Sequence, residues 1–202
     1  MAVSAGQHLP DGSISARLRP SETTMCCMNL PLILSLGLAL LGVSCSSKSS
    51  GQLGMAAPPL QVAQWVKGQP VDLVAARGRN VVVVEFWATW CPPCRASIPH
   101  LTELQQKFKD RGVQFVGVSN ESLETVKPFV SQMGDKMNYT VAIDDNDKTS
   151  TAYMGAFGVD GIPHAFVVDR SGAISWHGHP MAVLEQAIEK ALAGGAATVA
   201  GK

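Results

Sequence analysis

Val81 to Val84 is a run of four β-branched residues, the pattern of a strand buried on both faces, and the apolar stretch continues to Trp87. From Pro92 to Asp110 the spacing changes. Ile98, Leu101, Leu104 and Phe108 recur at helical intervals, Arg111-Gly112 closes the run, and Pro99 inside it predicts a kink. The pattern then predicts a strand over Val113–Ser119, a helix over Leu123–Met133, a strand over Tyr139–Ile143 and a helix over Thr149–Phe157. Ala165–Asp169 and Ala173–His177 read as a hairpin about Arg170-Ser171-Gly172, and Met181–Leu192 as a last helix. Ahead of the central strand, Val62–Val74 reads as a short hairpin turning at Lys67-Gly68-Gln69-Pro70. Strands alternating with amphipathic helices over 60–193 predict one α/β domain.

The N-terminal part follows another logic. Residues 1–29 have no apolar periodicity but carry Arg17 and Arg19, and an apolar stretch follows from Leu30 to Val43. Interrupted by Pro31, Ser35, Gly37 and Gly42, it falls short of the ~20 residues of a membrane span and fits the hydrophobic region of an export signal. Leu41-Gly42-Val43-Ser44-Cys45 resembles a bacterial lipoprotein processing site, although Gly42 stands where that family usually has leucine. The resemblance implies lipidation of Cys45; the competing reading is a simple secretory leader. Residues 46–59 are rich in Ser, Gly and Pro, the composition of a flexible linker, and 194–202 read as a fraying tail. The expected location is the bacterial cell envelope, tethered to a membrane.

Composition narrows the chemistry. The chain has 202 residues, 46% of them hydrophobic, and its 16 basic residues balance 16 acidic ones, so no basic excess points to nucleic acid. Of five cysteines, Cys26, Cys27 and Cys45 lie in the leader region, which leaves Cys91 and Cys94 for the domain. These two follow the central strand directly. Pro92 and Pro93 set the helix frame after Cys91, a three-residue step brings both sulfurs to one helix face, and Cys91 sits at the positive end of the helix dipole. There a thiolate is stabilised, and the thiolate is the species that attacks disulfides.

Glu85-Phe86-Trp87-Ala88-Thr89-Trp90-Cys91-Pro92-Pro93-Cys94, together with Gly161-Ile162-Pro163, resembles the thioredoxin-fold proteins of the TlpA/ResA type, membrane-tethered bacterial thiol-disulfide oxidoreductases. The likeness spans about residues 58–192, and Pro99 matches it too. It implies an α/β thioredoxin-like fold with an N-terminal β-hairpin and a central α/β insertion around 120–157. It implies that Cys91 attacks a client disulfide, that Cys94 resolves the mixed disulfide, and that Glu85 is a buried acid able to take the Cys94 proton. Ile162-Pro163 matches the family's cis-proline, opposite the cysteines, where client backbone binds. Trp87 and Trp90, beside the pair, suggest aromatic walls, and with Pro92 and Pro93 complete the expected substrate-binding set. Many relatives carry glutamate three residues after the second cysteine; Ser97 stands here instead, which puts more of the proton transfer on Glu85.

Pro92 and Pro93 remove two amide donors from the Cys91 thiolate and so favour a reducing pair, while Arg95 pulls the other way. The implied partners are client proteins with thiols or disulfides, in cytochrome c or copper-centre maturation, and a membrane thiol reductase as electron donor. No cofactor or metal is expected beyond the redox-active Cys91–Cys94 disulfide. The alternatives are an envelope disulfide donor or isomerase, or a copper-handling thioredoxin-fold chaperone using His177 and His179. A zinc ribbon lacks its second cysteine pair, a peroxidase lacks its residues around Cys91, and Asp144-Asp145-Asn146-Asp147 lacks the ligand spacing of a calcium loop. A binding module with a purely structural disulfide leaves Glu85 and the tryptophans without a role.

Overall fold

In the computed structural model, which describes residues 50–194, the chain runs β1 (Val62–Lys67), α1 (Leu73–Ala76), β2 (Val81–Phe86), α2 (Pro92–Phe108), β3 (Val113–Ser119), α3 (Leu123–Met133), β4 (Thr140–Asp144), α4 (Lys148–Ser150), β5 (His164–Val168), β6 (Ile174–Gly178) and α5 (Leu184–Gly194). The sheet order is β1-β4-β3-β2-β5-β6. Every residue of β2 is buried, because it is hydrogen-bonded on both edges and covered on both faces. Val81, Val83 and Trp87 share one core with α2, α3 and α5. Val82, Val84 and Phe86 share the other with Leu73 and Ala76 of α1 and with Tyr153. Strand alternation therefore sends Glu85 into the same layer as Trp87, beneath α2.

The strand β2 runs parallel to β3 and antiparallel to β5, and β4 extends the parallel set beyond β3. The segment between β3 and β5 is the insertion that the resemblance implied: it adds α3, places β4 between β1 and β3, and ends in α4 and a π-helical turn, Thr151–Gly155. The π turn occupies most of the helix expected over Thr149–Phe157. Asp144 anchors its start, accepting from the Thr149 and Ser150 amides at 2.8 Å each and from the Ser150 hydroxyl at 2.6 Å. That carboxylate is thus a cap, while Asp145 pairs with Lys148 and Asp147 accepts from Asn120 Nδ2 at 2.9 Å.

The N-terminal hairpin is corrected. Val62–Val74 yields one strand, β1, which pairs antiparallel with β4, and its second arm is the helical turn α1. The alternation of Val71 and Leu73 suggests a strand, but the Asp72 carboxylate accepts from the amides of Val74 and Ala75 and starts a helix. The described part of the expected linker, residues 50–59, also differs. Gly51 N donates to Ala156 O at 2.6 Å, Gly54 N to Ile174 O at 2.8 Å and Ala57 N to Gly172 O at 2.8 Å, while the Tyr153 hydroxyl donates to Pro58 O at 2.8 Å. Met55, Ala57 and Leu60 pack on the second core, so the domain begins near Gly51. The export signal (1–45), Cys45, residues 46–49 and the tail beyond Gly194 lie outside the described residues. Among the described residues no helix is long and apolar enough to cross a membrane.

Hydrogen exchange tests the docking of the N-terminal segment. The amides of Gly54 and Ala57 are expected to exchange at least tenfold more slowly than an unstructured peptide; free exchange at both restores the flexible linker.

Candidate active site

Cys91 is the last extended residue before α2, and its sulfur does what a capping oxygen does elsewhere. Cys94 N donates to Cys91 Sγ at 3.2 Å, while Pro92 and Pro93 fill the first two helical positions and offer no amide. The two cysteines form a disulfide with their Cα atoms 5.3 Å apart. Both are buried in the oxidised protein, at 2% exposure for Cys91 and 0% for Cys94. Pro92 and Pro93 are exposed beside them. Ser97 is buried and its hydroxyl donates to Cys94 O at 2.9 Å, which commits it to the helix backbone. The Arg95 guanidinium lies over the Phe129 ring, 5.9 Å from its centroid.

Below the pair, Glu85 is 1% exposed, and neither of its carboxylate oxygens has a hydrogen-bond partner. Burial pushes its pKa up from 4.5 to about 8. Its register neighbours are Gly117 on β3 and Ala165 on β5, small residues that leave the carboxyl uncrowded. Trp87 is equally buried, its ring against Phe129 at 5.4 Å, so it forms a floor and not a free wall. Trp90, 69% exposed, is the open aromatic.

Across from the sulfurs, the Ile162–Pro163 peptide bond is cis, and Ile162 O lies 3.8 Å from Cys91 Sγ. A cleft of about 510 Å³ opens beside them, lined by Phe86, Trp87, Trp90, Val118, Met154, Val159 and Ile162, with Asp147 and Asp160 among its polar residues. A disulfide at a helix N-terminus, an unpartnered buried acid beneath it and a cis-proline carbonyl facing it form a site for thiol-disulfide exchange.

Comparison with known proteins agrees. Residues 53–177 match the family model of the AhpC/TSA family. Thiol-disulfide oxidoreductase ResA of Bacillus thuringiensis (strain Al Hakam) is 33% identical over 130 residues, 64% of this chain and 70% of that protein. ResA of Bacillus subtilis (strain 168) is 30% identical over 146 residues, 72% of this chain and 77% of that protein. Among solved structures, a thiol:disulfide interchange protein of the thioredoxin family from Chlorobium tepidum TLS superposes with a TM-score of 0.57 at 31% identity, covering 70% of this chain and 99% of that one. The chain belongs to the ResA-type thiol-disulfide oxidoreductases.

This ResA-type site includes groups that the sequence reading passed over. Glu121, after β3, accepts from Thr89 N at 2.6 Å and Thr89 Oγ1 at 2.7 Å, and so clasps the loop two residues before Cys91. Ser119 Oγ adds a third donor at 3.2 Å. Nothing in Asn120-Glu121-Ser122 announces this in the sequence, where it reads as a loop. His164, next to Pro163, shares a 2.9 Å hydrogen bond with His177 Nδ1, and its pKa is lowered to about 4 by burial and then by the neighbouring His177 and His179. His179 Nδ1 instead accepts from Met181 N at 3.2 Å, so the two histidines of the copper alternative are engaged separately. No cluster of three or more metal-ligating side chains occurs among the described residues.

The buried carboxyl predicts a pH signature in stability. Its folded pKa of about 8 exceeds the 4.5 of an open chain, so its contribution is complete below pH 4.5 and is lost as pH rises through 8. Urea unfolding of the oxidised protein should show the wild type losing stability relative to Glu85→Gln by about 1.4 kcal/mol per pH unit across that window. Parallel curves would place the carboxyl in water. Independently, Glu121→Ala is expected to slow attack on a model disulfide about tenfold by loosening the Cys91 loop, read by stopped-flow fluorescence; an unchanged rate would reduce the clasp to a surface contact.

Proposed function

We propose that the protein is a reductant of client disulfides in the bacterial envelope. Cys91 Sγ, held at the α2 N-terminus and facing Ile162 O, carries the reading: a thiolate there is stabilised by the helix and aimed where an extended client segment adds to the backbone at residue 162. Cys91 thiolate attacks one client sulfur, the client S–S bond breaks, and the departing thiolate takes up a proton. Cys94 then gives its proton to the Glu85 carboxylate and attacks Cys91 Sγ. The mixed disulfide breaks, the Cys91–Cys94 bond forms, and the client leaves with two electrons gained. A carboxyl near pKa 8 is well matched to a thiol of ordinary pKa ~8.5, so the proton moves with little free-energy difference either way.

The direction rests on the proline pair. With no amide at the first two helical positions, the Cys91 thiolate keeps the Cys94 N–H as its backbone donor, and Arg95 is turned to Phe129. Less thiolate stabilisation than a helix start with amides at both positions provides shifts the balance towards the disulfide and makes the dithiol a better electron source. The cleft beside Trp90 receives the apolar side chain next to the client cysteine, and Asp147 and Asp160 favour a basic flank. The leader directs export, Cys45 carries the lipid that holds the domain at the membrane, and a membrane thiol reductase restores the dithiol. Clients are cysteine pairs awaiting haem or copper, a class suggested by the family resemblance.

Trapping separates the two cysteines. Cys94→Ser should accumulate mixed disulfides with envelope clients, visible as thiol-sensitive adducts on non-reducing gels, and Cys91→Ser should yield at least tenfold less. Equal yields would overturn the assignment of attacking and resolving roles.

A further inference from the structure

Four buried polar atoms have no hydrogen-bond partner among the described residues, and they belong to three neighbouring side chains: both carboxylate oxygens of Glu85, Nε1 of Trp87 and the hydroxyl of Tyr139. All three residues are at least nine-tenths buried, at 1%, 1% and 5% exposure. Gly117 brings them together. It stands opposite Glu85 in the β2–β3 register, and a Cβ placed on it would lie 3.0 Å from Trp87 Nε1 and 3.1 Å from Tyr139 Cε2. The indole N–H and the phenol ring thus lean over a backbone position that only glycine leaves open, beside the carboxyl.

Tyr139 is held there by α2 itself. The Thr102 hydroxyl donates to Lys136 O at 2.9 Å and accepts from Asn138 N at 2.8 Å, while Lys67 Nζ donates to Met137 O at 2.6 Å. Those bonds fix the turn leading into β4 on both sides. Most of this layer is apolar, with Ile98 and Leu101 from α2, Val126 from α3, Ala165 from β5, and Leu184 and Ile188 from α5, and its buried hydroxyls, Ser97, Thr102 and Ser119, are already engaged elsewhere. Tyr139 and the cysteine pair are the titratable companions of Glu85 within it. The phenol's own pKa is raised, first by burial and then by the charge of Glu85, so it stays protonated and keeps its O–H as a donor.

Two buried donors without partners, gathered over the residue opposite a buried carboxyl, suit its ionised form. The geometry points to Tyr139 and Trp87 as the positioning residues of the resolving step: their O–H and N–H solvate the Glu85 carboxylate, directly or through one shared water, and thereby set its affinity for the Cys94 proton. This rests on the reading of Glu85 as the base. No atom is transferred to either ring. The proton passes from Cys94 Sγ to the carboxylate, and the two donors release as it arrives.

The test is the titration of Glu85 in the reduced full-length protein, followed by NMR of carboxyl-labelled glutamate, alongside the pH profile of mixed-disulfide resolution. Tyr139→Phe keeps the ring and removes the hydroxyl. It should raise the Glu85 midpoint by about one pH unit and move the resolution profile upward by the same amount, and Trp87→Phe should do likewise. Unshifted glutamate signals elsewhere, such as Glu185 and Glu189, verify that the fold is retained. A Glu85 midpoint unmoved in both variants would overturn the proposal. Failure of the underlying base is read separately: resolution at the wild-type rate in Glu85→Gln would remove both rings from the reaction even if the midpoint shifts stood.

Discussion

The chain turns from strand to helix at Cys91, and the sulfur caps the helix that the turn begins. Pro92 and Pro93 are tolerated because the first helical positions need no donor, and the Cys94 amide at the third position is the one that reaches Cys91 Sγ. From this turn follow the spacing of the two sulfurs and the helix dipole behind Cys91, which Ile162 O approaches from the loop that leads into β5, the strand next to β2. The helix also seals the layer in which Glu85 lies. A chain that broke elsewhere would leave the acid in water, with an ordinary pKa.

Glu85 is the costly member of this arrangement. Each buried polar group without a partner opposes folding by about 1–3 kcal/mol, and a neutral carboxyl is the form that burial permits. The fold supplies the means to carry that cost: β2 is buried along its whole length, paired on both edges, and flanked at Glu85 by Gly117 and Ala165. The same burial that opposes stability at high pH brings the carboxyl to about 8, the range of a thiol. In the proposed mechanism, stability and proton transfer therefore draw on one placement in opposite senses. Glu121 shows the contrasting use of an acid, half-buried, fully partnered, and spent on holding the Thr89 loop.

Much of the scaffold is local and was legible. Val81–Val84 announces the central strand, and the spacing of Ile98, Leu101, Leu104 and Phe108 announces α2 to within two residues of its end. The errors arose where one side chain decides between local patterns: Asp72 turns an alternating stretch into a helix start, and backbone bonds from Gly51, Gly54 and Ala57 dock a composition that reads as linker. In the site, Cys91 and Cys94 are close in the chain and readable from it. Ile162 lies 71 positions from Cys91 and came from resemblance. Gly117 and Tyr139 were invisible because their meeting with Glu85 is set by the register among β2, β3 and β4, a property of the assembled sheet.

A proline-flanked Cys91 above a buried acid is proposed to make a reducing pair. The equilibrium potential of the Cys91–Cys94 couple, titrated against a thiol buffer at pH 7 and read by alkylation, tests it most directly. A value below about −230 mV, on the side of the reductants, is expected. A value above about −180 mV, in the range of disulfide isomerases and donors, would contradict it.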